Sequence, residues 1–335
     1  MQDEFQPHAD AQRAVDVLKA GRRFLLVGHE RPDADVLGSQ LALARVLAGA
    51  GAAVEITNPH GPPPYLEFLA RPGEFGAYAG GSLAGYDAVV LLDTAELGRT
   101  GAMADAIAAS PAAKLVFDHH VYEGPIWWHG AYRDPTAAAT GVLVARAAKD
   151  LGAPLDRDAA RALFVSLVSD TGWFRHSNTN AEVLRLAADL VERGAEPSAL
   201  HAELYQRREA GELHALAVQL GRLDYRLDGR LALVDLPLGA GPAGDPPDGD
   251  GVLDLARSVE GVELALYLVE RTPQHWRLSA RSKGRASARR VALDFGGGGH
   301  DKAAGASLVG PHTDVRERVL VAAERELARD PGARA

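Results

Sequence analysis

Residues 24–35 read FLLVGHERPDAD, a short apolar run that passes directly into a turn carrying one histidine and two aspartates. An apolar stretch of this length, followed by a helical pattern over 37–50, predicts a buried strand that leads into a helix. Apolar runs at 88–92 and 114–117 have the same character and alternate with further helical patterns. Such alternation indicates an α/β fold, in which a parallel sheet carries helices on both faces.

Carboxylates and imidazoles collect where these predicted strands, and a predicted helix over 158–168, come to an end. The set comprises His29, Asp33, Asp35, Asp93, Asp118, His119, His120 and Asp170. Because ligands of an open α/β sheet gather at the carboxyl ends of its strands, we expect these side chains to meet. Any single aspartate could instead cap a helix or form a turn. As a set, in a chain without cysteine, they predict a hydrolytic centre for two hard or borderline divalent ions.

The pattern along the chain changes after residue 180. Apolar residues recur at helical spacing over 180–222, and predicted strands return at 230–236, 262–270 and 275–281. A chain of 335 residues is also long for a single hydrophobic core. We therefore expect a first domain over 1–195 that carries the hydrolytic centre, a helical connector over 196–228 and a smaller α/β domain over 229–330.

A glycine run from Gly296 to Gly299 ends at His300 in the second predicted domain. Glycines expose backbone N–H groups and allow positive φ, so the run can wrap an anion, although flexible linkers also use glycine. The small residues at 303–305 suit the start of a helix packed against such an anion. We expect Gly298, Gly299 and His300 to bind a phosphate of the substrate.

A basic strand precedes the glycine run, since residues 278–285 read LSARSKGR. Arg281 is the best phosphate donor because its guanidinium offers a planar fork of N–H groups. The basic cluster that also includes Lys283 and Arg285 is expected to act as a phosphate clamp, with a solvated edge strand as the alternative for Lys283 and Arg285. We expect Arg281, with Ser282 next to it, to bind substrate.

Two further features lie near the predicted metal ligands. The segment 171–177 follows Asp170, so that Arg175 and His176 could reach a bound substrate, and Arg175 is kept as a substrate-binding candidate. The pair Trp127-Trp128 predicts packing or an interface rather than stacking on a base.

Composition limits the compartment and the partners. The chain is 47% hydrophobic and 24% charged, as in soluble globular proteins, and no apolar stretch approaches the ~18 residues of a membrane span. The absence of cysteine excludes disulfides and is compatible with the cytoplasm, which is the expected location. A net charge of −9 argues against nonspecific binding of long nucleic acid, but not against a short phosphorylated ligand in a local basic pocket.

Taken together, these motifs resemble those of the DHH phosphoesterase superfamily. More narrowly, the chain resembles the short two-domain branch of the nanoRNase and 3′-phosphoadenosine-5′-phosphate phosphatase type. The matching pieces follow the family order and cover nearly the whole chain: 29–39, 91–94, 118–120, 169–172, 281–284, 295–300 and 303–305. Val36 is a conservative departure, since a small residue such as alanine is usual there.

The resemblance implies two Mn²⁺ ions, for which Mg²⁺ or Co²⁺ could substitute. The ligands of one ion would be His29, Asp33 and Asp93. The ligands of the other would be Asp35, Asp93, His119 and Asp170, with Asp93 shared between the ions. Asp118 would orient an imidazole, and His120 would face the scissile phosphate.

The resemblance also implies a substrate class and an assembly. The family's second domain binds substrate. The expected substrates are short oligoribonucleotides, linear dinucleotides and 3′-phosphoadenosine 5′-phosphate. The resemblance also implies a homodimer. Three alternatives remain. A RecJ-like exonuclease for long single strands is longer and carries an extra nucleic-acid-binding barrel, and a family II inorganic pyrophosphatase lacks the glycine run ending in histidine. A catalytically silent nucleotide sensor has no need of a complete set of metal ligands.

Overall fold

The computed structural model describes residues 7–207, 209–240 and 249–329. These residues form two compact units, which are divided after Arg207. The connector predicted over 196–228 is accordingly split, with its first helix in the first unit and the remainder in the second. Among the described residues, no helix is both long enough and apolar enough to cross a membrane.

The first unit is built on a sheet whose strands are β1 (Arg23–Val27), β2 (Ala53–Asn58), β3 (Phe75–Ala77), β4 (Ala88–Leu92), β5 (Ala113–Asp118) and β6 (Gly130–Arg133). The strand order is β3-β2-β1-β4-β5-β6, and every neighbouring pair is parallel. This confirms the predicted α/β fold class. The two edge strands, β3 and β6, were not among the predicted strands.

Helices cover both faces of this sheet. They are α1 (Pro7–Ala20), α2 (Ala34–Gly49), α3 (Ala104–Ala109), α4 (Thr140–Leu151), α5 (Arg157–Asp170), α6 (Ala181–Glu192) and α7 (Pro197–Tyr205), with 3₁₀ turns at Pro64–Leu69 and Leu97–Met103. Phe24 and Leu26 of β1 point into the larger core, which α1, α2, α4 and α5 close. Leu25 and Val27 point into the opposite core, which α3 and Trp128 help to close. The alternation follows from the two-residue period of a strand.

Helices α2 and α5 approach each other closely at Gly38. A Cβ atom at this position would lie 2.4 Å from the carbonyl oxygen of Ala162 on α5, so that any larger residue would push the helices apart. Because α2 begins and α5 ends at the same edge of the sheet, this contact brings Asp35 near Asp170.

The second unit contains the strands β7 (Leu223–Arg226), β8 (Leu231–Leu236), β9 (Leu264–Thr272), β10 (His275–Ser282), β11 (Gly298–His300) and β12 (Ala303–Val309). Its sheet has the order β11-β12-β10-β9-β8-β7, in which only the β8–β9 pair is parallel among the described strands. The helices are α8 (Ala210–Leu220), α9 (Asp250–Ser258), α10 (Ala288–Leu293) and α11 (His312–Ala328). Helices α10 and α11 pack on one face and α8 and α9 on the other.

One prediction for the second unit is wrong. The small residues at 303–305 do not begin a helix but open β12, which pairs with β10 on one side and β11 on the other. The long helix α11 was not predicted, although Val315, Val319 and Ala323 recur every four residues and face the core. The sequence over 239–251 is rich in glycine, proline and aspartate and predicts a loop, but residues 241–248 lie outside the described residues.

Candidate metal centre and substrate face

The predicted metal ligands converge at the carboxyl edge of the first sheet. Their nitrogen and oxygen atoms form three groups in which all members lie within 4.8 Å of one another. The groups are His29, Asp33 and Asp93; Asp35, His119 and Asp170; and Asp93, His119 and His120. The first two groups correspond to the two ligand sets that the family resemblance implies, and Asp93 lies next to both.

Asp33 caps a helix and also faces the cluster. Its Oδ1 accepts the backbone N–H groups of Asp35 (3.0 Å) and Val36 (3.1 Å) at the start of α2. Its Oδ2 lies 3.7 Å from Nε2 of His29. One oxygen of Asp33 therefore caps the helix, whereas the other faces the cluster and is positioned to bind a metal ion.

Asp93 occupies the middle of the centre. Its Oδ2 is 3.4 Å from Nε2 of His29, and its Oδ1 is 3.3 Å from Nε2 of His119. The hydroxyl of Thr140 donates to Oδ1 at 2.9 Å. The backbone of Asp93 has a φ of 62°, a left-handed conformation that is unfavourable for most residues and is often found at functional sites. This geometry allows one carboxylate to bridge two ions.

His119 has a ring nitrogen that is arranged for a metal. Its Nδ1 lies 3.2 Å from the carbonyl oxygen of Ala137, which fixes the ring. Its Nε2 is buried and has no hydrogen-bond partner among the described residues, although Asp170, Asp93 and Asp35 place oxygens at 3.2, 3.3 and 3.6 Å. A buried nitrogen aimed at three carboxylates without a hydrogen bond is what a cation between them would satisfy.

Asp35 is completely buried and held from several sides. Its partners are the N–H groups of Thr140 and Gly141 and the hydroxyls of Ser39 and Ser166. Burial, followed by repulsion from Asp170 and Asp93, raises the pKa of its carboxyl group. The sequence did not predict the roles of Thr140, Gly141 and Ser166, because a residue that supplies a backbone N–H or a single hydroxyl has no distinctive pattern.

The charges at the centre favour a bound cation. Burial lowers the pKa of His29, but the neighbouring carboxylates of Asp33 and Asp93 outweigh it and raise this pKa to about 9. The same balance, with Asp170 and Asp93 as neighbours, raises the pKa of His119 to about 11. The crowded carboxylates therefore favour positive charge at this place, which bound divalent ions would supply.

His120 is oriented by Asp118. The Nδ1 of His120 lies 2.9 Å from Oδ1 of Asp118, and the same oxygen accepts the backbone N–H of His120 at 3.1 Å. Asp118 is buried, whereas the His120 side chain is 32% exposed and can meet a ligand from solvent. Arg133, at the end of β6, donates from Nη2 to the carbonyl oxygen of His120 at 3.0 Å.

Arg175 is exposed and lies five residues after Asp170. Its Nε donates to the carbonyl oxygen of Gly172 at 2.7 Å. The preceding residues Gly172, Trp173 and Phe174 have φ values of 54°, 59° and 65°, a left-handed run that turns the chain sharply after α5. His176, also exposed, places Nδ1 3.2 Å from the carbonyl oxygen of Asp170.

In the second unit, half of one sheet face is open. Helices α8 and α9 cover β8 and β9 on this face, whereas alternate residues of β10 and β12 remain accessible. Arg281 of β10 and His300 of β11 both pair with Ala303 of β12. Since residues in direct register share a face, Arg281 and His300 lie on the open face on either side of Ala303.

The floor of this open face is made of small residues. Gly298 and Gly305 are paired in the row next to Ala303, and the guanidinium of Arg277 passes over Gly305, where a Cβ atom would lie 3.0 Å from its Nη2. Gly299 does not belong to this open face, because it alternates to the other face of the sheet, and its φ is 133°. A Cβ there would lie 2.6 Å from the carbonyl oxygen of Ala303, so glycine is required for β11 to approach β12.

Ser282 and Lys283 are engaged within the second unit. Ser282 is buried, and its hydroxyl donates to the carbonyl oxygen of Asp301 and accepts the N–H of Ala288, both at 3.2 Å. Lys283 donates to two carbonyl oxygens at the C-terminal end of α9, each at 2.8 Å. Lys283 therefore stabilises a helix end, a role different from both the clamp and the solvated edge considered for it.

The two units correspond to two known domain families. Residues 23–167 match the DHH family, N-terminal domain, and residues 241–329 match the DHHA1 domain. A relative from Thermus thermophilus, named bifunctional oligoribonuclease and PAP phosphatase NrnA, is 34% identical over 94% of this chain and 94% of its own length. The chain belongs to the DHH family.

Other comparisons agree with this assignment. A relative of the same name from Bacillus subtilis is 27% identical and covers 88% of this chain and 92% of its own length. The solved structure of an exopolyphosphatase-related protein from Bacteroides fragilis has a TM-score of 0.86 at 23% identity, covering 97% of this chain and 98% of that chain, which shows a shared fold. The clustered carboxylates and imidazoles thus lie in and directly after the DHH match, and Arg281 and His300 lie in the DHHA1 domain.

Proposed function

We propose that this protein is a metal-dependent phosphoesterase that hydrolyses short oligoribonucleotides, linear dinucleotides and 3′-phosphoadenosine 5′-phosphate to mononucleotides. The observation that carries the proposal is Asp93, whose two oxygens face two different imidazoles. A carboxylate in this position is suited to a two-metal hydrolytic centre. Two relatives of nearly full coverage, which are named for oligoribonuclease and PAP phosphatase activity, support the substrate class.

The donors present fit two divalent ions. The first would be held by His29, Asp33 and Asp93, and the second by Asp35, Asp93, His119 and Asp170. The buried Nε2 of His119, which has no hydrogen-bond partner in the described part of the chain, supports the second site. We propose Mn²⁺ in both, with Mg²⁺ or Co²⁺ as substitutes, because oxygen and imidazole donors without thiolate suit these ions.

When bound, such ions polarise phosphoryl oxygens and lower the pKa of a water molecule towards neutrality. The chain's own residues supply the remaining parts of catalysis. Asp35 and Asp93 are fixed by hydrogen bonds before any ion arrives, so little reorganisation is needed. Because Nδ1 of His120 faces Asp118 at 2.9 Å, Nε2 is the ring nitrogen that would meet a phosphoryl oxygen of the substrate.

We further propose that the open face of the DHHA1 domain holds the substrate away from the reacting phosphorus. Among the described residues of β10, β11 and β12, the open face presents Arg277, Arg281 and His300 and no carboxylate. These basic side chains, together with the exposed glycine backbone between them, are suited to bind a phosphate group or the polar edge of a nucleotide. Arg175 of the DHH domain remains a further substrate-binding candidate. Ser282 is retained only as a residue that shapes the end of β10, since its hydroxyl is already engaged.

A turnover panel tests the proposal. The full-length protein is assayed with a 5′-phosphorylated dinucleotide, 3′-phosphoadenosine 5′-phosphate and inorganic pyrophosphate, after chelation and again after Mn²⁺, Mg²⁺ or Co²⁺ is restored. We expect release of mononucleotides that depends on added metal, and little turnover of pyrophosphate. Rapid turnover of pyrophosphate, or of no substrate at all, would contradict the proposal.

The assembly and the compartment also belong to this proposal. We propose a homodimer that acts in the cytoplasm, the latter in keeping with a chain free of cysteine. Light scattering coupled to size exclusion, at the concentration of the assay, measures the mass directly. A mass of one chain under those conditions would contradict the dimer.

A further inference from the structure

Arg133 contacts the backbone of His120, and its side chain is buried although it is not one of the proposed metal ligands. Arg133 ends β6, and its register partner on β5 is Asp118. Only 6% of its side chain is exposed. A buried guanidinium is costly unless charges and dipoles around it compensate for the lost water, so its surroundings indicate its role.

Aromatic rings enclose the guanidinium of Arg133. Its Cζ lies 5.3 Å from the ring centre of Tyr122 and 5.3 Å from that of Trp128. Trp127 packs edge-on against Trp128 and donates from Nε1 to the carbonyl oxygen of Ala95, two residues after Asp93. Trp128 is buried in the core and Trp127 packs against it, as predicted, and Trp128 also forms one wall of a cage around the cation.

The polar contacts of Arg133 lead to the Asp-His-His motif. Its Nη2 donates to the carbonyl oxygen of His120 at 3.0 Å, and its Nε lies 4.0 Å from Oδ2 of Asp118. The other oxygen of Asp118 contacts both the ring and the backbone N–H of His120. One oxygen of Asp118 therefore faces a cation while the other orients the imidazole.

We infer that Arg133 is a positioning residue, which holds Asp118 and the backbone of His120 so that the His120 ring is fixed towards the substrate. The inference rests on the proposed function, in which His120 contacts the scissile phosphate. Without the guanidinium, the buried charge of Asp118 would lose its cation and the carbonyl oxygen of His120 would lose its donor. The ring of His120 would then sample other orientations, while the metal ligands would keep their own hydrogen bonds.

The test compares Arg133→Met and Arg133→Lys in the wild-type and His120→Ala backgrounds of the full-length protein. Methionine keeps the length and packing of the side chain between the rings but removes the charge and the N–H donors. With a dinucleotide as substrate, we expect Arg133→Met to lower kcat by about 10- to 100-fold, as for other residues that orient ligands of metal sites. We expect KM and the metal content per chain to stay within about two-fold. Lysine should restore part of kcat, because it keeps a cation near Asp118.

The double variant decides whether Arg133 acts through His120. If it does, Arg133→Met should change kcat by less than about two-fold once His120 is already alanine. A nuclear magnetic resonance readout of the metal-free protein is independent of activity. The Nδ1–H signal of His120, assigned by its absence in His120→Ala, should be lost or shifted in Arg133→Met.

Arg146→Met is the matched control, since Arg146 also forms ion pairs in the DHH domain, with Asp134 and Glu182. It should lower the unfolding temperature without lowering kcat. Full additivity of Arg133→Met and His120→Ala, or an unchanged His120 signal, would overturn the inference while leaving the proposed function intact. Wild-type turnover in His120→Ala would overturn both. If Arg133→Met does not fold, Arg133→Lys carries the same comparisons.

Discussion

Asp93 combines an unfavourable backbone conformation with a carboxylate that lies near the imidazoles of His29, His119 and His120. A φ of 62° outside glycine costs about 1–3 kcal/mol. In this conformation one oxygen of the carboxylate faces His29 and the other faces His119. The strained residue is therefore also the one that we propose as the bridging ligand.

The first prediction concerns Asp93→Asn. Asparagine tolerates a left-handed φ and has the same size, so the fold should persist, but the bridging charge is lost. We expect both ions to bind more weakly and turnover to fall by about 1,000-fold or more, since removal of one electrostatic contact in an active site already costs about 100- to 1,000-fold. Elemental analysis and single-substrate kinetics measure the two effects.

Asp87→Asn is the control for Asp93→Asn. Asp87 precedes β4 at the opposite end of that strand and accepts the backbone N–H groups of Arg22 and Arg23. This variant should keep metal content and turnover. If Asp93→Asn kept two ions per chain and near-normal turnover, the bridging role would be wrong.

At the scale of single residues, the sequence predicted which side chains meet, but it did not predict which neighbouring residues hold them in place. Aspartate and histidine at strand ends are conspicuous because their chemistry differs from that of the surrounding apolar residues. No such signal marks Thr140, Ser166 or Arg133. Each of them is recognised only once the fold brings it against a residue of the centre that is more than ten positions away in sequence. For Asp33, the alternatives of cap and ligand could not be separated from sequence, because one of its oxygens caps α2 while the other faces His29.

At the scale of elements, the hairpin of β11 and β12 shows how pairing can override local composition. The stretch Ala303-Ala-Gly305 suggested a helix start, but Ala304, Ala306 and Leu308 alternate inward against the core. That two-residue period is the strand signal. Pairing with β10 along the whole of β12 then places Arg281 and His300 on one face, a relation that no helix at 303–305 would give.

A second prediction tests this face. Arg281→Met should raise KM for a 5′-phosphorylated dinucleotide by roughly 10- to 100-fold, the usual worth of a hydrogen bond to a charged group, while metal content stays unchanged. Arg289→Met is the matched control, because Arg289 is an exposed residue of α10 on the covered side of the sheet. Equal effects of both variants would indicate only a general influence of charge, and loss of metal in Arg281→Met would contradict the separation of roles.

A third prediction concerns the junction of α10 and α11. The Glu326 side chain is 3% exposed and accepts hydrogen bonds from the backbone N–H of Ser287 and from Arg290. Burial raises the pKa of Glu326, but these hydrogen bonds outweigh it and the net pKa is lowered from 4.5. A lowered pKa in the folded state means that this stabilisation is present above pH 4.5 and is lost as the pH falls through the lowered value.

Glu326→Gln should therefore destabilise the DHHA1 domain by about 2 kcal/mol at pH 7, and it should remove part of the acid sensitivity of the wild type. Hydrogen exchange of the amides of β10, followed from pH 7 to below the usual carboxyl range, measures both. The exposed Glu324→Gln serves as the control and should behave as wild type. If the difference between wild type and Glu326→Gln did not shrink on acidification, the assignment of this carboxylate would be wrong.

At the scale of the whole molecule, charge distribution bears on substrate length. The chain carries a net charge of −9, and long single strands are held by extended basic tracks. The described open face of the DHHA1 domain instead offers a short cationic patch around Arg281 and His300. A terminal phosphate or a single nucleotide edge matches such a patch, whereas the net negative charge of the chain opposes the binding of a long polyanion.

The turnover of RNAs of graded length tests most directly whether this protein is a two-metal hydrolase for short RNA. A series of 5′-labelled RNAs, from two nucleotides to about ten or more, is assayed at fixed salt and saturating Mn²⁺, where salt is held constant because it alters the affinity for phosphates. We predict that turnover falls steeply from the dinucleotide to the longest strand. Equal or faster degradation of the longest strand would contradict the account and favour an exonuclease of the RecJ kind.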